Sequence, residues 1–576
     1  MSAAAVWIGL HMPKSDSMQV ARSIDRRTVL KSAAGLAADA LASPLIPRGA
    51  FAESTSPSPD LRAAIIQASS SVANVETSAG KIRGYIRNDI YTFKGVPYGA
   101  STAGSARFLA PSKPVPWTGV RTTMHYGPVA PQPKRENWNR DEMAFLLDWD
   151  DGYAGEDCLV LNIWTQSLSD SRKRPVMVWL HGGASTFGSG HQLKCYDGEN
   201  LCRRGDAVVI TLNHRLGIFG YLDLSRLGDD AFADSVNVGM LDIVQALQWV
   251  RENIANFGGD PGNVTIFGES SGGYEVSILM NMPRAQGLFH RAIVQSGSSL
   301  KLNTKDQAAQ RTDRVLKGLG LNRSNFSKIQ TLPVEQIIEV ATKVGGALGA
   351  RFWVDGQLIP TDPFDPSALK MSAQVPMLIG TVLNEASPIG DPGLEAEFAD
   401  VEKHATATFG GKAPAIIETA RRLHPKASPI EISTLIDLSV AGSLLYNAIK
   451  QAQLKSALGG APAYMYLFAW QTPVLDGRLL ALHQSEIPFV FDNTDGCASM
   501  TGGGPEPRAL AAKVCDAWIN FARHGNPSHP GLPDWPAFTK DNGATMVFDS
   551  ACRLQSYPDR ELHDLIVSVI RERTHS

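Results

Sequence analysis

The sequence predicts an α/β fold with a doubly wound, mostly parallel central sheet and helices on both faces of that sheet. Three observations predict it. Short, near-continuous apolar runs alternate with amphipathic segments of helical length, and one long region is helical by pattern without any such run. Strands that are buried on both faces of a parallel sheet give runs of this kind. Strand, helix and strand in succession imply right-handed crossovers between parallel neighbours.

Five apolar runs are the predicted strands of this sheet. They cover residues 174–181, 206–213, 263–268, 291–297 and 375–381. The segment between the second and third runs has apolar residues at helical spacing and then a glycine: Leu241, Val244, Leu247, Val250, Ile254 and Gly258. It therefore predicts a crossover helix that ends at the glycine. Residues 395–460 have a helical pattern and no strand run, so we expect them to cover the sheet.

The amino-acid composition and the net charge are typical of a globular protein. The chain has 576 residues, of which 43% are hydrophobic and 19% charged, and its formal net charge is -3. Because no basic stripe or acidic tail is present, we expect no nucleic-acid partner. Nothing after the N-terminal segment reaches 18 consecutive apolar residues, so we expect no stable membrane insertion. No linker divides residues 72–576, which predicts a single domain and leaves the oligomeric state open.

The N-terminal segment has the features of an export signal. Arg26 and Arg27 precede a weakly apolar stretch, and Ala50-Phe51-Ala52 fits an A-x-A cleavage site. This pattern predicts a twin-arginine signal over residues 1–52, cut after Ala52, with a flexible leader at 53–71. The mature chain is then expected in the periplasm or secreted. The other interpretation is an amphipathic N-terminal helix.

The stretch TIFGESSGGYEV places Ser270 and Ser271 side by side. Gly268 to Gly272 fit the pattern G-x-S-x-G, between a predicted strand and a predicted helix. A serine in this context lies on a tight turn that exposes its hydroxyl, and the helix N-terminus offers N–H groups to an oxyanion. The spacing makes Ser270 the candidate nucleophile and gives Ser271 the role of a main-chain donor. A structural glycine turn is the alternative.

A serine hydroxyl is a weak nucleophile unless a base takes its proton and donors stabilise the oxyanion. Gly182, Gly183 and Ala184 directly follow the predicted strand at 174–181. This segment resembles the glycine-rich oxyanion loop that precedes the nucleophile in esterases and lipases. A plain glycine turn would give the same composition, but its place after a strand favours the functional interpretation.

These motifs belong to a larger set that resembles the type-B carboxylesterases, the family that includes cholinesterases and bacterial carboxylesterases. The resemblance runs from about Val72 to near Pro536. It is carried by FKGVPYG, EDCLVLNIW, HGGA, NHRLGIFGYL, NVGMLDIVQALQWVRENIANFGGDPGNVTIFGESSGG, VQSGS, IGTVLNEA and HQSEIPFVF. It implies the α/β-hydrolase fold and a serine hydrolase that cleaves small-molecule carboxylic esters through an acyl-enzyme. It implies no cofactor and no metal.

The resemblance also assigns the other site residues. The acid within IGTVLNEA is Glu385, and the base within HQSEIPFVF is His483. The oxyanion hole is assigned to the N–H groups of Gly183, Ala184 and Ser271. The chain order of serine, acid and histidine is the order of α/β hydrolases.

Several positions depart from the family pattern and leave the acyl and alcohol preferences open. Ser185 stands where an aromatic residue is usual, and Tyr274 and Glu275 stand where small residues are usual. The loop at 131–157 corresponds to one that overhangs the active site in the family. Its aromatic residues either line the pocket mouth or pack the loop down: Trp138, Phe145 and Trp149.

The cysteines depart as well. Cys158 matches a position that forms a disulfide in the family, but Ala130 stands at the position of its partner. The spacing of the other five cysteines assigns no pairing, and an oxidising periplasm permits disulfides. His191 and Cys195 are two possible ligands close in sequence, which is too few for a zinc site.

Two other classes of function use the same features. An amidase, a carbamate hydrolase or a thioesterase would employ the same nucleophile, base and donors. A non-catalytic adhesion protein with this fold would lack at least one member of the serine, glutamate and histidine set, and here all three are present. Matched p-nitrophenyl ester and anilide substrates distinguish ester from amide hydrolysis, because an amide has the worse leaving group.

Overall fold

The computed structural model describes residues 65–134, 141–168, 170–298, 300–345, 352–365, 370–385, 397–438 and 443–575. Residues 65–576 group into one compact unit. The predicted export signal at 1–52 lies outside the described residues. Within the segment 53–71, for which we expected a flexible leader, Ile66–Gln67 form an edge strand. Among the described residues no helix is long and apolar enough to cross a membrane.

The strands of the described residues are, in chain order, β1 Ile66–Gln67, β2 Asn74–Thr77, β3 Gly80–Arg83, β4 Tyr85–Arg87, β5 Ile90–Pro97, β6 Val120–Thr122, β7 Val160–Thr165, β8 Arg174–Leu180, β9 Val208–Leu212, β10 Gly259–Glu269, β11 Arg291–Gln295, β12 Asn303–Thr304, β13 Trp353–Val354, β14 Met377–Val382, β15 Ala463–Phe468, β16 Ala544–Phe548 and β17 Arg553–Ser556.

The α-helices of the same residues are α1 Asp141–Leu147, α2 Glu199–Gly205, α3 Gly217–Gly220, α4 Val238–Asn253, α5 Ser271–Leu279, α6 Lys305–Gly318, α7 Val334–Gly345, α8 Phe398–Phe409, α9 Ala413–Leu423, α10 Pro429–Leu438, α11 Leu444–Ala457, α12 Ile487–Val490, α13 Ala498–Thr501, α14 Pro505–His524 and α15 Arg560–His575.

The central sheet has the strand order β1-β4-β5-β7-β9-β8-β10-β11-β14-β15-β16-β17. Neighbouring strands from β9 to β16 are parallel. The pairs outside this block are antiparallel. The five predicted strands are β8, β9, β10, β11 and β14, so the predicted mostly parallel sheet is confirmed. The antiparallel edges were not predicted from the sequence.

Both faces of the parallel block are covered, which explains the uninterrupted apolar runs. Along β8, Val176 and Val178 pack into one hydrophobic cluster with residues of α4 and α5. The alternate residues Met177 and Trp179 pack into a second cluster with α14 on the other face. Successive side chains of a strand point to opposite faces, so both sets must be apolar. The doubly wound arrangement is therefore confirmed.

The predicted helical segments also lie where the pattern placed them. After α4, a single 3-10 turn at Ile254–Phe257 leads to Gly258, whose φ of 73° ends the helix in the left-handed region. Within residues 397–457, the described parts form α8 to α11 and contain no strand. The apolar side chains of α8, α9, α10 and α15 form a separate cluster, whereas those of α11 pack into the first hydrophobic cluster.

Candidate active site

The connection between β10 and α5 places Ser270 on a strained turn. Ser270 has φ 55° and ψ -122°, a conformation that is costly for a residue with a Cβ atom. Its N–H donates to the Gln295 carbonyl at 3.0 Å, and its carbonyl accepts from the Tyr274 N–H at 3.1 Å. The neighbouring strand β11 and the helix α5 thus hold this turn in place on both sides.

Close packing explains the glycines around this turn. A Cβ atom on Gly272 would lie 2.0 Å from the Leu180 carbonyl oxygen, so the start of α5 can approach the end of β8 only with glycine there. A Cβ atom on Gly182 would lie 2.8 Å from Glu269 Oε2 and 3.2 Å from the Ser270 Cβ. The loop after β8 is therefore in direct contact with the serine turn.

The same loop has unusual backbone angles and unpaired N–H groups. Gly183 has φ 113° and Ala184 has φ 55°, and the Gly183 carbonyl accepts hydrogen bonds from Thr186 and Phe187. Among the described residues, the N–H groups of Gly183, Ala184 and Ser271 donate to no protein acceptor. The three predicted donors therefore keep their hydrogens for another acceptor.

His483 and Glu385 are brought together from separate loops. His483 Nδ1 lies 2.5 Å from Glu385 Oε2, and the Glu385 carboxylate is 2% exposed. The other oxygen, Oε1, accepts from the Val382 N–H at 3.2 Å. Both carboxylate oxygens are therefore engaged, which fixes the orientation of the carboxylate against the imidazole.

The loops that carry these two residues are tied to each other. The Asn384 N–H donates to the Ala481 carbonyl, and the Ala481 N–H donates to Asn384 Oδ1, each at 3.1 Å. From the other side, Leu146 of α1 packs against Leu479 and Leu482, next to His483. The histidine loop is thus held both by the acid loop and by α1.

Two further carboxylates, which the sequence did not point to, lie around the imidazole. Glu269 Oε1 is 3.0 Å from His483 Nε2, an ion-pair distance without hydrogen-bond alignment. Within the described residues no hydrogen bond joins Ser270 to His483. Glu486 is fully buried, and its Oε1 accepts from Gln295 Nε2 at 3.3 Å. In the sequence, Glu269 directly precedes the serine and Glu486 follows the histidine by three residues. This closeness to two predicted site residues is the sequence feature that could have pointed to them.

These carboxylates set the proton affinities of the site. Burial alone would lower the pKa of His483, but the charges of Glu269 and Glu385 outweigh it and raise that pKa well above its usual value. Burial raises the pKa of Glu269, partly opposed by His483. Burial, and then the charges of Glu269 and Glu385, raise the pKa of Glu486 to about 8. Glu486 is therefore protonated at neutral pH, which keeps one negative charge out of the site.

The positions that depart from the family pattern are mostly buried near this site. Ser185 is 3% exposed, and its carbonyl accepts from the Gly217 N–H at 2.7 Å. Glu275 lies 3.1 Å from His214 Nε2, and both side chains are almost fully buried. Tyr274 is partly buried and packs against the first hydrophobic cluster. Glu275 thus has a partner that the sequence did not suggest.

The aromatic residues of the loop 131–157 do not share one environment. Phe145 is 55% exposed, whereas Trp149 packs against the second hydrophobic cluster. Trp138 lies outside the described residues.

His191 stacks on Tyr126 with ring centroids 4.4 Å apart. Among the described residues, no three histidine, cysteine, aspartate or glutamate side chains are grouped so that they could hold a metal ion.

The sheet, the serine turn and the His–Glu pair define the class of protein as an α/β hydrolase. The Carboxylesterase family model matches residues 71–562, so this chain belongs to the carboxylesterase family. The chain is therefore a carboxylic-ester hydrolase of the serine hydrolase type.

Curated relatives and solved structures agree with this family. The para-nitrobenzyl esterase of Bacillus subtilis is 35% identical over 84% of this chain and 97% of that protein. The phenmedipham hydrolase of Pseudarthrobacter oxydans is 34% identical over 82% of this chain and 94% of its own length. The structure of a Clostridium hathewayi esterase that can hydrolyse aliphatic aromatic polyesters is 36% identical, with a TM-score of 0.76, and covers 87% of this chain and 99% of that chain.

Proposed function

We propose that Ser270, His483 and Glu385 form the catalytic triad of this ester hydrolase. The observation that carries the proposal is the strained Ser270 turn at the β10–α5 junction, close to a His483–Glu385 pair at 2.5 Å. A nucleophile, an imidazole and a carboxylate that orients the imidazole are the parts needed for acyl transfer.

In the proposed reaction, Ser270 Oγ attacks the ester carbonyl while His483 Nε2 accepts the hydroxyl proton. Because Nε2 faces Glu269 at 3.0 Å, it must exchange this contact for one with Ser270 Oγ before acylation. Glu385 holds the Nδ1 proton, which fixes the tautomer and stabilises the imidazolium. His483 then protonates the leaving alcohol, and water hydrolyses the acyl-enzyme with the same base.

The proposed oxyanion hole consists of the N–H groups of Gly183, Ala184 and Ser271. Their hydrogens have no acceptor among the described residues, and they come from the loop and the helix start that meet at the serine turn. Fixed donors of this kind stabilise the charge that develops on the carbonyl oxygen, and loss of one costs about 10²–10³ in kcat.

The substrates that we propose are small-molecule carboxylic esters. Relatives are named for para-nitrobenzyl esters, for phenmedipham and for the hydrolysis of polyesters, which indicates a site that accepts aromatic and bulky esters. A panel of p-nitrophenyl esters from acetyl to octanoyl, with aryl and bulky alkyl esters, measures the acyl and alcohol preferences. Faster turnover of a matched anilide than of the ester would instead make the enzyme an amidase.

Adjacent serines provide a matched test of the nucleophile. Ser270→Ala should lower turnover by a factor on the order of 10⁴ to 10⁶, as loss of a triad nucleophile does. Ser271→Ala keeps the main-chain N–H and should retain most of the activity. A covalent organophosphonate should label the wild type and Ser271→Ala but not Ser270→Ala. Labelling that depends on Ser271 would overturn the assignment.

We also propose that the enzyme is exported through the twin-arginine pathway. The support is sequence alone: Arg26 and Arg27 precede an apolar stretch, and Ala50-Phe51-Ala52 fits a cleavage site. Replacing both arginines by lysine should leave precursor in the cytoplasm, as measured by cell fractionation and N-terminal sequencing. Export at the wild-type level would point to the general secretory pathway.

A further inference from the structure

The residue directly after the proposed base has a strained backbone. Gln484 has φ 79°, in the left-handed region that favours glycine. Its carbonyl accepts from the Ile487 N–H at 3.1 Å, so this conformation leads the histidine loop into α12. Glycine would adopt the same backbone at lower cost. A strained glutamine beside the proposed site therefore indicates a role for its side chain.

The Gln484 side chain reaches the carboxylate that faces the proposed base. Gln484 Nε2 donates to Glu269 Oε2 at 3.4 Å, a long hydrogen bond. The other oxygen, Oε1, lies 3.0 Å from His483 Nε2 and makes no hydrogen bond. A Cβ atom on Gly182 would lie 2.8 Å from Glu269 Oε2, so the loop after β8 packs against that oxygen. The Glu269 carboxylate thus lies between the imidazole, the Gln484 amide and this loop.

Burial makes the partners of this carboxylate important. The Glu269 side chain is 0% exposed, and an ionised carboxylate without partners is costly inside a protein. Burial raises the pKa of Glu269, and the charge of His483 and the hydrogen bonds from His483 and Gln484 oppose the rise. Among the described residues, His483 and Gln484 are the side chains that pair with this carboxylate.

The proposed acylation step removes one of these two partners. His483 Nε2 must leave Glu269 Oε1 before it can accept the proton of Ser270 Oγ. We propose that Gln484 is a positioning residue, which keeps Glu269 hydrogen-bonded and in place while His483 turns from Glu269 to Ser270. This role rests on the proposed triad. Because two donors share one carboxylate, the Gln484 bond stabilises Glu269 most when the imidazole is neutral or turned away.

Two effects on turnover follow from this role. Without the amide donor, the imidazolium paired with Glu269 is favoured over the neutral base, so the pKa of His483 rises. A hydrogen bond of ordinary net strength corresponds to about half a unit to one unit of pKa, so the acidic limb of kcat/KM should move to higher pH by about half a unit. Above the limb, kcat/KM should fall by a factor of about three to ten, since the turn toward Ser270 leaves Glu269 unpaired.

The acidic limb responds to every charged group that faces His483. These groups are Glu269 at the end of β10, Glu385 after β14 and Glu486 before α12. Gln484 is uncharged, so its replacement by another uncharged residue leaves the charges of this set unchanged. Gln484→Met nearly keeps the length of the side chain and removes the donor, whereas Gln484→Gly removes the donor and relieves the backbone.

The test compares kcat/KM as a function of pH for the full-length wild type, Gln484→Met and Gln484→Gly, with a p-nitrophenyl ester as substrate. Both variants should show the same displaced limb. Gln484→Gly should be the more stable of the two in urea, because glycine adopts a positive φ without strain. A displaced limb in Gln484→Gly alone would assign the effect to the backbone and overturn the role of the amide.

A double variant and a matched glutamine supply the controls. In a Glu269→Gln background, Gln484→Met should not displace the limb further, because the carboxylate through which it acts is absent. Gln471 Nε2 donates to Glu431 Oε1 at 3.0 Å, and Glu431 is not among the groups that raise the pKa of His483. Gln471→Met therefore removes a similar bond elsewhere and should leave the profile unchanged.

Two results would contradict this role: a limb at the same pH in the wild type and Gln484→Met, or an equal displacement with and without Glu269. Glu385→Gln, measured alongside, separates these results from a failure of the triad. An unaltered Gln484→Met beside a slow Glu385→Gln removes only the role of Gln484. A Glu385→Gln protein that turns over like the wild type removes the triad and this role with it.

Discussion

Among the described residues, two histidines are hydrogen-bonded to a glutamate, and only one of these pairs belongs to the proposed active site. In the first pair, His483 Nδ1 lies 2.5 Å from Glu385, and the imidazole is 29% exposed. In the second, His214 Nε2 lies 3.1 Å from Glu275, and both side chains are at most 1% exposed. Glu275 of the second pair lies on α5, the helix that begins next to Ser270.

The two pairs differ in the surroundings of the side-chain atoms that take no part in the pairing. His483 has its second nitrogen directed at Glu269, a contact that a substrate-bound state can exchange. His214 Nδ1 and Glu275 Oε2 are buried, and neither atom has a hydrogen-bond partner among the described residues. The same pairing chemistry therefore orients the proposed base in one place and joins two buried elements in the other. Access to the second imidazole nitrogen, and not the pair itself, is what makes a catalytic site.

The same change in each pair should separate these roles. Glu385→Gln should keep the fold but lower kcat strongly, because an amide cannot stabilise the imidazolium and favours the wrong tautomer. The comparable change in a serine protease costs about 10⁴ in kcat, which is the upper guide here. Steady-state kinetics with a p-nitrophenyl ester measures it. Activity within a factor of about ten of the wild type would remove Glu385 from the triad.

Glu275→Gln is the matched change in the buried pair and should act on stability. Glutamine still offers an oxygen to His214 but adds two N–H donors in a buried site, and a buried polar group without a matched partner costs about 1–3 kcal/mol, whereas turnover should stay within a few-fold of the wild type. Denaturant unfolding followed by fluorescence, with kinetics on the same preparation, measures both quantities. A Glu275→Gln protein as slow as Glu385→Gln but of normal stability would show that the two pairs are not distinct.

Glu269 should set the pH at which His483 becomes a base. Its charge is the largest of those that raise the pKa of His483, and a base must be unprotonated to accept the serine proton. The kcat/KM of the wild type should therefore fall as the pH drops below this raised pKa. In Glu269→Gln the pKa of His483 falls, so the acidic limb of the profile should move to lower pH.

Glu486 supplies the control for this pH profile. Its pKa of about 8 leaves it uncharged below that pH, and its charge is not among those that raise the pKa of His483, so Glu486→Gln should move the acidic limb less than Glu269→Gln does. An acidic limb at the same pH in the wild type and in Glu269→Gln would show that Glu269 does not control the His483 proton.

The parts of the fold that the sequence predicted are those that are buried on both sides. Strands such as β8 and β9 lie between two hydrophobic clusters, so nearly every residue is apolar and the run is visible. The two outermost antiparallel strands of the central sheet were missed because they have little to bury: β1 and β17 are exposed along their whole length. Their pairing depends on neighbours and not on a pattern of their own.

The candidate site divides in a similar way. A turn motif marks Ser270, since a strand, glycines and a helix must follow one another within a few residues for such a turn to form. Glu269 and Glu486 carry no local pattern that separates them from surface carboxylates, and the partnership of Glu275 with His214 depends on the packing of α5 against the segment after β9. Such groupings arise only when distant segments fold together, so one sequence without its structure does not reveal them.

The smallest expected effect is a pH dependence of stability that belongs to the buried pair alone. Burial by itself would lower the pKa of His214, but the charge and hydrogen bond of Glu275, and then the charge of Asp242, raise it above the usual 6.5. A raised folded-state pKa contributes stability in full below the unfolded value of 6.5, and the contribution is lost as the pH rises through the folded pKa. Other groups also titrate in this range, so the wild type must be compared with a variant that lacks only this proton.

His214→Gln is that variant, since glutamine keeps an N–H donor for Glu275 but does not titrate. The stability difference between the wild type and His214→Gln should be largest below pH 6.5 and shrink as the pH rises through the raised pKa of His214, as measured by urea unfolding. The effect should be small because it reflects the displacement of one pKa. The esterase pH profile, which depends on His483, should be the same in both proteins. A stability difference that is constant with pH would mean that His214 keeps the same charge folded and unfolded, and a shifted esterase profile would mean that the two pairs are coupled through α5.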